Sequence, residues 1–278
     1  MNKKTRKYRW FGECLWLENG TWEMGIPLSF GLRVLSFSAI GRPNVFYEQP
    51  AKTDSLSTRE GWRVFGGTRL WLAPENVHPL YAPERSPISY EWRGETLRIT
   101  QAEDPLLHVV KQMEIAETDD SSSVDIVYRI TNTGSKALTG APWAVSAMRE
   151  GGTLMVPFSV DPHMDTAKPG RILSLWNATS LDDPRFMLSS QAVSVVQRPL
   201  DAYCKLGLFC PAGTARYTLP EQTFEKTFLA DADATYPDGG VNLEIYACRW
   251  MLEFETLAPL RTILPGETAE HCERWRID

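Results

Sequence analysis

Hydrophobic and polar positions alternate along this chain in short runs, and helical spacing is scarce. Runs of this kind, bounded by Gly, Pro, Asn and Asp, are typical of an all-β sandwich or barrel. The polar segment Glu117–Ser123 separates two of the runs, which are predicted to pair as an antiparallel hairpin. We predict an all-β, mainly antiparallel fold with strands in Leu32–Gly41, Leu97–Thr100, Leu106–Ile115, Ser123–Asn132 and Val241–Leu257.

Length and composition indicate one globular unit. The 278 residues fall within the range of large β-sandwiches, and no linker or low-complexity tract divides them. Hydrophobic residues make up 43% and charged residues 23%, which are ordinary globular values that allow a sizeable core. We therefore predict a single domain over residues 1–278.

Charge and cysteine content restrict the class of partner. The net charge is −6 and the basic residues are scattered, so we predict no nucleic-acid binding. The basic segment Lys3–Lys7 is not followed by the apolar run of a secretory signal, and no window approaches the roughly 20 apolar residues of a membrane helix. We expect a soluble, cytoplasmic protein without membrane contact, and the sequence leaves its oligomeric state open. The five cysteines lack CxxC spacing, so we expect buried reduced thiols and neither a zinc site nor a disulfide framework. We also expect function without a metal or an organic cofactor.

Two carboxylates stand two residues apart near the C-terminus, at Glu253 and Glu255. Side chains at this spacing in a strand point to the same face of the sheet. A buried pair of this kind is costly, whereas an exposed pair is ordinary. The alternative to a functional pair is that the two residues form ion pairs with Arg249 or Arg261.

The stretch GGTRLWLAPE, Gly66–Glu75, is a second candidate for a site. As a strand it places Arg69 and Trp71 on one face, with glycines that leave space for a ligand near the backbone. A guanidinium can donate to sugar oxygens while an indole covers the apolar face of the ring. The alternative is a core tryptophan with an arginine laid across the surface.

The four histidines divide by context. His108 and His271 lie in predicted strands and are expected to be structural, whereas His78 and His163 lie in irregular loops, where an acid or base can be placed near a site. A surface histidine without a role is the alternative for both loop residues. Walker, dinucleotide-binding, GxSxG and HExxH motifs are all missing from the sequence.

Four stretches resemble a known family. LEFETLAPLRTILPGETAEHCERWRI, Leu252–Ile277, is similar to the ending of aldose 1-epimerases, the galactose mutarotase-like proteins. IPLSFGLRVLSFSAIGRPNVFYE, Ile26–Glu48, resembles the family's opening. RVFGGTRLWLAPE, Arg63–Glu75, resembles the segment that supplies a substrate-contacting arginine, and Val124–Ala147 resembles the central hairpin that precedes the strand of the catalytic histidine.

The resemblance implies a galactose mutarotase-like β-supersandwich with a carbohydrate site on its concave face. Glu255 falls at the position of the family's general base, and Arg69 at a sugar-binding arginine. Glu253 is then either a neighbour that raises the pKa of Glu255 or a solvated residue. The sequence departs from the family where Trp143 or a neighbour replaces the catalytic histidine, so the acid that mutarotation needs is missing from its expected position.

Two functions follow as expectations, and both require only a small-molecule sugar as partner. The first is an aldose 1-epimerase-like isomerase with Glu255 as base and His78 or His163 as acid. The second is a carbohydrate-binding protein that has lost the acid. Arg63 and Arg85 are available for a phosphorylated sugar. In either case we predict a substrate-binding set of Arg69, Trp71, Trp143, Glu75 and Glu253.

Overall fold

A computed structural model describes residues 1–52, 62–84, 86–158 and 170–278. Apart from loops and turns, their regular secondary structure is almost entirely antiparallel β-strand, which confirms the predicted all-β, mainly antiparallel class. A short 3-10 helix spans Arg9–Phe11, and no helix in the described ranges is long and apolar enough to cross a membrane. In chain order the strands are β1 Asn2–Lys7, β2 Glu13–Glu18, β3 Trp22–Pro27, β4 Ser36–Ala39, β5 Gly67–Ala73, β6 Ile88–Arg93, β7 Thr96–Gln101, β8 Val109–Glu117, β9 Ser123–Asn132, β10 Leu138–Met148, β11 Thr153–Pro157, β12 Leu173–Leu175, β13 Phe186–Leu188, β14 Ala192–Val196, β15 Cys204–Leu208, β16 Thr214–Thr218, β17 Thr223–Phe228, β18 Leu243–Ala247, β19 Leu252–Leu257, β20 Arg261–Ile263 and β21 Thr268–Ile277.

The described strands form three antiparallel sheets. The first contains β1 to β4 in sequence order. The second has the order β12-β15-β18-β19-β10-β20, with β5 paired to the other side of β10. The third is a ten-stranded sheet in the order β13-β14-β11-β16-β17-β21-β9-β8-β7-β6. Strands from distant parts of the chain therefore become neighbours, above all in the second sheet.

The sequence prediction was accurate where alternation is strict and wrong where a turn interrupts it. The predicted hairpin is confirmed, because β8 and β9 pair from Val109↔Asn132 to Glu117↔Val124. The run Val241–Leu257 is broken into β18 and β19 by a turn in which the Cys248 amide donates to the Met251 carbonyl over 3.0 Å. His108 lies just before β8, exposed and with a left-handed φ of 52°, so its predicted strand position is wrong.

The second sheet has an apolar face that packs into the core and a polar face that does not. Phe254 of β19 lies on the apolar face, and its ring contacts Phe224, which in turn packs 5.5 Å from the ring of Trp275 on the ten-stranded sheet. Each large apolar side chain that is fully buried stabilises the fold by about 1.5–3 kcal/mol. This packing fixes which face of β19 remains for other contacts. That residues 1–278 form one domain stays a prediction.

The core also encloses a polar network on β17, β19 and β21. Lys226 Nζ lies 2.8 Å from Glu273 Oε1, and Trp275 Nε1 donates to the other oxygen of Glu273 over 2.7 Å. Thr256 connects this carboxylate to His271, whose Nε2 is 2.8 Å from the Thr256 hydroxyl. Burial lowers the pKa of His271 to about 4, which keeps its imidazole neutral at neutral pH. His271 is therefore a core residue on the terminal strand, as predicted.

Candidate functional site

The register of four neighbouring strands aligns three charged residues in one row. Arg69 on β5 lies opposite Val145 on β10, Val145 lies opposite Glu255 on β19, and Glu255 lies opposite Glu244 on β18. Directly opposed residues of antiparallel strands point to the same face of a sheet. Arg69, Glu255 and Glu244 therefore share the face of the second sheet that is turned away from the core.

The neighbouring rows add further side chains to the same face. Glu253 lies opposite Tyr246, and Tyr246 lies opposite Lys205 on β15. On the other side of the Arg69 row, Trp71 lies opposite Trp143. Because residues two apart on a strand point the same way, Glu253 and Glu255 share this face, as the alternation predicted.

Each of the two cations in these rows is paired with buried carboxylates. Arg69 Nη1 lies 2.8 Å from Glu253 Oε1. Lys205 Nζ lies 2.7 Å from Glu244 Oε2 and 3.2 Å from Glu255 Oε2. The alternative in which Glu253 and Glu255 pair with Arg249 or Arg261 is wrong, because Glu253 contacts Arg69 and Glu255 contacts Lys205.

Aromatic rings flank both cations. The Arg69 guanidinium lies 4.1 Å from the ring centroid of Trp71. Lys205 Nζ lies 4.5 Å from the ring of Trp143 and 4.8 Å from that of Trp176. These distances are within the range of cation–π attraction. The face therefore combines paired charges with tryptophan surfaces.

Glu244 and Glu255 share the single ammonium of Lys205, and this shifts all three pKa values. Burial raises the pKa of Glu255 and raises that of Glu244 further, although Lys205 opposes both effects. Burial alone would lower the pKa of Lys205, but Glu255 and Glu244 outweigh it and raise that pKa. The physical reason is that one positive charge cannot compensate two buried negative charges. Both carboxyl groups are therefore protonated more readily than an ordinary glutamate.

Some polar atoms on this face have no hydrogen-bond partner in the part of the chain that the structure describes. They include Glu255 Oε1, both Glu244 carboxylate oxygens, and the indole nitrogens of Trp71 and Trp143. Glu244 Oε2 still lies 2.7 Å from the Lys205 ammonium, so its charge is compensated even though its geometry is not that of a hydrogen bond. Because a buried polar atom without a partner is costly, this face can gain energy by binding a polar ligand.

Two adjoining cavities open on this face. The aromatic pocket has a volume of about 500 Å³, and its described lining is Trp62, Val64, Arg69, Trp71, Glu75, Tyr81, Trp143, Trp176, Tyr203, Lys205, Tyr246, Trp250, Met251 and Glu253. The acidic pocket has a volume of about 590 Å³, and its described lining is Glu75, Asn76, His78, Trp143, Trp176, Lys205, Asp238 and Glu244. The pockets share Glu75, Trp143, Trp176 and Lys205, so we treat them together as the cleft.

The cleft brings together most of the residues singled out in the sequence. Arg69, Trp71, Trp143, Glu75 and Glu253 all line it. Glu255 is 0% exposed and lines neither pocket, whereas Lys205, which contacts it, lines both. His163 lies outside the described residues. The role of each residue in binding or catalysis stays a prediction.

His78 lines the acidic pocket, and its side chain already has a partner. The ring is half-buried, and Nε2 lies 3.0 Å from the carbonyl oxygen of Thr139, to which it donates. Burial lowers the pKa of His78, while the Thr139 carbonyl opposes that shift. His78 is therefore close to the cleft but is favoured in its neutral form.

Gly66 and Gly67, just before Arg69, allow neighbouring backbone segments to approach closely. A Cβ on Gly66 would lie 1.9 Å from the carbonyl oxygen of Tyr47, and one on Gly67 would lie 2.2 Å from that of Val34. Both have a left-handed φ, +99° and +66°. The space that was predicted for a ligand is thus occupied by neighbouring backbone, which fixes the start of β5 and the position of Arg69.

Among the cleft residues that the sequence analysis did not single out are Lys205, Glu244 and Trp176. Lys205 stands inside the apolar run Cys204–Leu208, and Glu244 stands inside Leu243–Ala247. A charged residue in the middle of an apolar strand is a usable signal, since such a residue is rarely buried without a partner. Trp176 follows β12 in a loop, and the sequence offers no comparable signal for it.

No metal-binding arrangement is found at the cleft or elsewhere in the described ranges: no group of three or more His, Cys, Asp or Glu side chains there could hold an ion.

Comparison with known proteins identifies the fold. No protein-family model and no curated protein matches the chain. Among solved structures it is similar to a galactose mutarotase-like protein from Clostridium acetobutylicum, with TM-score 0.56, 11% identity and coverage of 99% of this chain and 98% of the other. It is also similar to a candidate aldose 1-epimerase from Escherichia coli K12, with TM-score 0.57, 11% identity and coverage of 95% and 98%.

A third similar structure is a TPR-domain containing protein from Parabacteroides distasonis, with TM-score 0.65 and 13% identity; the match covers 95% of this chain but 47% of that one. The chain has the galactose mutarotase-like fold that the resemblance predicted, at low sequence identity to the structures that share it. These similarities show a shared fold and do not indicate an activity for this chain.

Proposed function

We propose that this chain is a carbohydrate-binding protein that holds a sugar ring in the cleft against its tryptophan surfaces. The observation that carries the proposal is the cleft itself, in which unpartnered indole N–H groups of Trp71 and Trp143 stand beside the paired charges of Arg69 and Lys205. Sugars offer apolar C–H faces for the rings and hydroxyl groups for the polar atoms. At about 590 and about 500 Å³, each of the two pockets has the volume of a small-molecule site.

Binding is favoured over catalysis by the position of Glu255. A general base must come within about 2.6–3.2 Å of the proton that it removes, directly or through one water. Glu255 is fully buried, lines neither pocket and contacts the Lys205 ammonium. A sugar in the cleft therefore meets Lys205 and Glu253 before it meets Glu255.

An aldose 1-epimerase-like isomerase is the second candidate, favoured by the Glu244–Lys205–Glu255 cluster. Burial raises the pKa of both carboxyl groups, and that of Glu244 further, so the cluster can supply an acid as well as a base. In this candidate Glu255 takes the proton of the anomeric hydroxyl and Glu244 gives one to the ring oxygen. The bond between the anomeric carbon and the ring oxygen breaks, the carbonyl rotates, and the ring closes by the reverse transfers. Glu244 takes the place of His78 as the acid in this candidate, because burial lowers the pKa of His78; the role of His163 stays a prediction.

Two NMR measurements on the same samples distinguish the candidates. Saturation transfer from the protein to freshly dissolved glucose or galactose reports binding, and the decay of the α-anomer signal reports isomerisation. Saturation transfer without faster anomer exchange supports the binding protein. Exchange faster than in buffer, and lost in Glu255→Gln, supports the isomerase. If no sugar receives saturation, the proposal is rejected.

A matched pair of variants assigns the binding to the cleft. Trp176 is partly exposed and lines both pockets, whereas Trp92 is partly exposed on β6 and lines neither. Loss of one aromatic contact costs about 0.5–1.5 kcal/mol, which is roughly a twofold to tenfold loss of affinity. We expect this loss in Trp176→Ala and wild-type affinity in Trp92→Ala. Equal affinities in both variants would place the ligand elsewhere.

The remaining expectations stay part of this proposal. The partner is a small-molecule sugar, without nucleic acid or membrane, and the location is the cytoplasm. Fractionation of cells that express a tagged chain measures the location directly. Recovery of the chain in the membrane fraction would contradict it.

A further inference from the structure

The cleft has more acidic than basic residues, and this excess bears on the charge of the sugar that it can bind. Two cations, Arg69 and Lys205, line the described part of the cleft, together with four acidic residues. The acidic residues are Glu75, Asp238, Glu244 and Glu253. Acidic side chains therefore outnumber basic side chains by four to two at this surface.

Both cations are already paired. Arg69 is within 2.8 Å of Glu253, and Lys205 is within 2.7 Å of Glu244 and 3.2 Å of Glu255. An anionic group on a ligand would have to displace a buried carboxylate from its partner, which leaves a buried charge uncompensated. Arg63, considered for a phosphate group, does not line either pocket, and Arg85 lies outside the described residues. The cleft therefore disfavours phosphate and carboxylate groups.

Acceptors for a positive ligand are present. Glu244 is 1% exposed, lines the acidic pocket, and its Oε1 has no partner in the described part of the chain. The rings of Trp143 and Trp176 border the same pocket, and they already flank one ammonium, that of Lys205. A second ammonium in this pocket would meet a buried carboxyl group and aromatic faces, which are the groups that bind such cations in proteins.

We propose that the cleft selects a sugar with a protonated amino group, a hexosamine, over the corresponding neutral sugar, and excludes sugar phosphates and uronic acids. This inference rests on the proposed carbohydrate-binding function. The amino group lies in the acidic pocket against Glu244, and Asp238 lines the same pocket. The sugar ring extends towards the aromatic pocket, where Trp71 and Trp143 provide apolar surface.

The test compares four sugars that differ in charge at otherwise similar size: glucosamine, N-acetylglucosamine, glucose and glucose 6-phosphate, with the galactose series run in parallel. Affinities are measured by calorimetry or by titrated saturation transfer. Because charge-assisted hydrogen bonds are about twice as strong as neutral ones, we expect the amino sugar to bind at least about tenfold more tightly than the neutral sugar. N-acetylation keeps the nitrogen but removes its charge, so N-acetylglucosamine should bind no more tightly than glucose. The titration with glucose 6-phosphate should not reach saturation.

Variants connect the preference to the acidic pocket. Glu244→Gln keeps the shape of the side chain, and it should reduce the ratio of the amino-sugar affinity to the neutral-sugar affinity, both measured in the same variant, from at least about tenfold to about one. Asp238→Asn, at a half-buried position in a turn, should reduce the same preference and serves as the test if Glu244→Gln does not fold by circular dichroism. Higher salt should reduce the preference, since screening weakens charge–charge attraction.

The outcomes separate this inference from the function on which it rests. If neutral sugars bind and amino sugars bind no more tightly, the cleft is a carbohydrate site but the charge argument is wrong. Tighter binding of the phosphate than of the neutral sugar would also overturn it. If none of the sugars in either series binds, the proposed function is rejected and this inference with it.

Discussion

Replacement of Lys205 by methionine tests the buried charge cluster most directly. Methionine keeps much of the length of the lysine stem and removes the ammonium. Glu244 and Glu255, which are 1% and 0% exposed, are then left without their counter-charge. We expect a large loss of stability near neutral pH and a much smaller one in acid.

The expected magnitude follows from the two contact distances. With an effective dielectric constant of about 20, Coulomb's law gives about 6 kcal/mol for a contact of 2.7 Å and about 5 kcal/mol for one of 3.2 Å. Release of the buried ammonium from its own desolvation offsets much of this. Removal of one partner from a buried pair costs about 3–5 kcal/mol, and this is the loss that we expect in the free energy of unfolding near neutral pH.

The pH dependence has a definite sign. Lys205 now lowers the pKa values of Glu244 and Glu255 against the effect of burial, so its removal raises both pKa values further above the ordinary value of 4.5. A carboxyl group whose pKa is raised by folding contributes stability below its unfolded pKa, and this contribution is lost as pH rises towards the folded pKa. The deficit of Lys205→Met should therefore grow as pH rises from about 4.5, by at most about 1.4 kcal/mol per pH unit for each proton retained.

Urea denaturation from acid to neutral pH measures this deficit. Arg249→Gln is a suitable control, because Arg249 contacts Asp201 over 2.9 Å at an exposed position, and such pairs contribute about 0–1 kcal/mol. A second variant, Lys205→Met with Glu255→Gln, removes one of the stranded carboxylates and should recover part of the loss. A deficit below about 1 kcal/mol near neutral pH, or one that does not change with pH, would refute the assignment of Lys205 as the shared counter-charge.

Two further predictions concern the fold. His271 has a folded pKa of about 4 against an ordinary value of 6.5, so stability should fall as pH is lowered between these values, by at most about 1.4 kcal/mol per unit. Urea denaturation at several pH values measures this dependence of the unfolding free energy on pH. We expect it to be lost in His271→Asn and kept in His108→Asn, at an exposed position. The same pH dependence in both variants would contradict the buried neutral imidazole. Gly66→Ala should cost at least about 2 kcal/mol in unfolding free energy, because its Cβ would meet the Tyr47 carbonyl. Gly41→Ala, left-handed but in open space, should cost about 1 kcal/mol, and a smaller cost for Gly66→Ala would exclude the close approach.

Local pattern was sufficient for much of the fold. Strict alternation gave the bounds of β9, Ser123–Asn132, and its pairing with β8, because the two strands are neighbours in sequence and a polar turn joins them. It also placed Glu253 and Glu255 on one face, and Arg69 with Trp71 on another strand, since side-chain direction in a strand depends only on spacing. The same alternation did not reveal the turn at Cys248–Met251, where the apolar pattern continues across a hairpin.

The partners of these side chains were decided by the tertiary structure. Lys205 lies 50 positions before Glu255, and Arg69 lies 184 positions before Glu253, so no local signal joins them. Only the register of β5, β10, β19, β18 and β15 places the four residues and Glu244 on one face. The sequence by itself determined which residues point the same way along each strand, because that is a property of the extended backbone. Which strands lie side by side, and therefore which charges compensate one another in the cleft, was determined by long-range pairing and core packing.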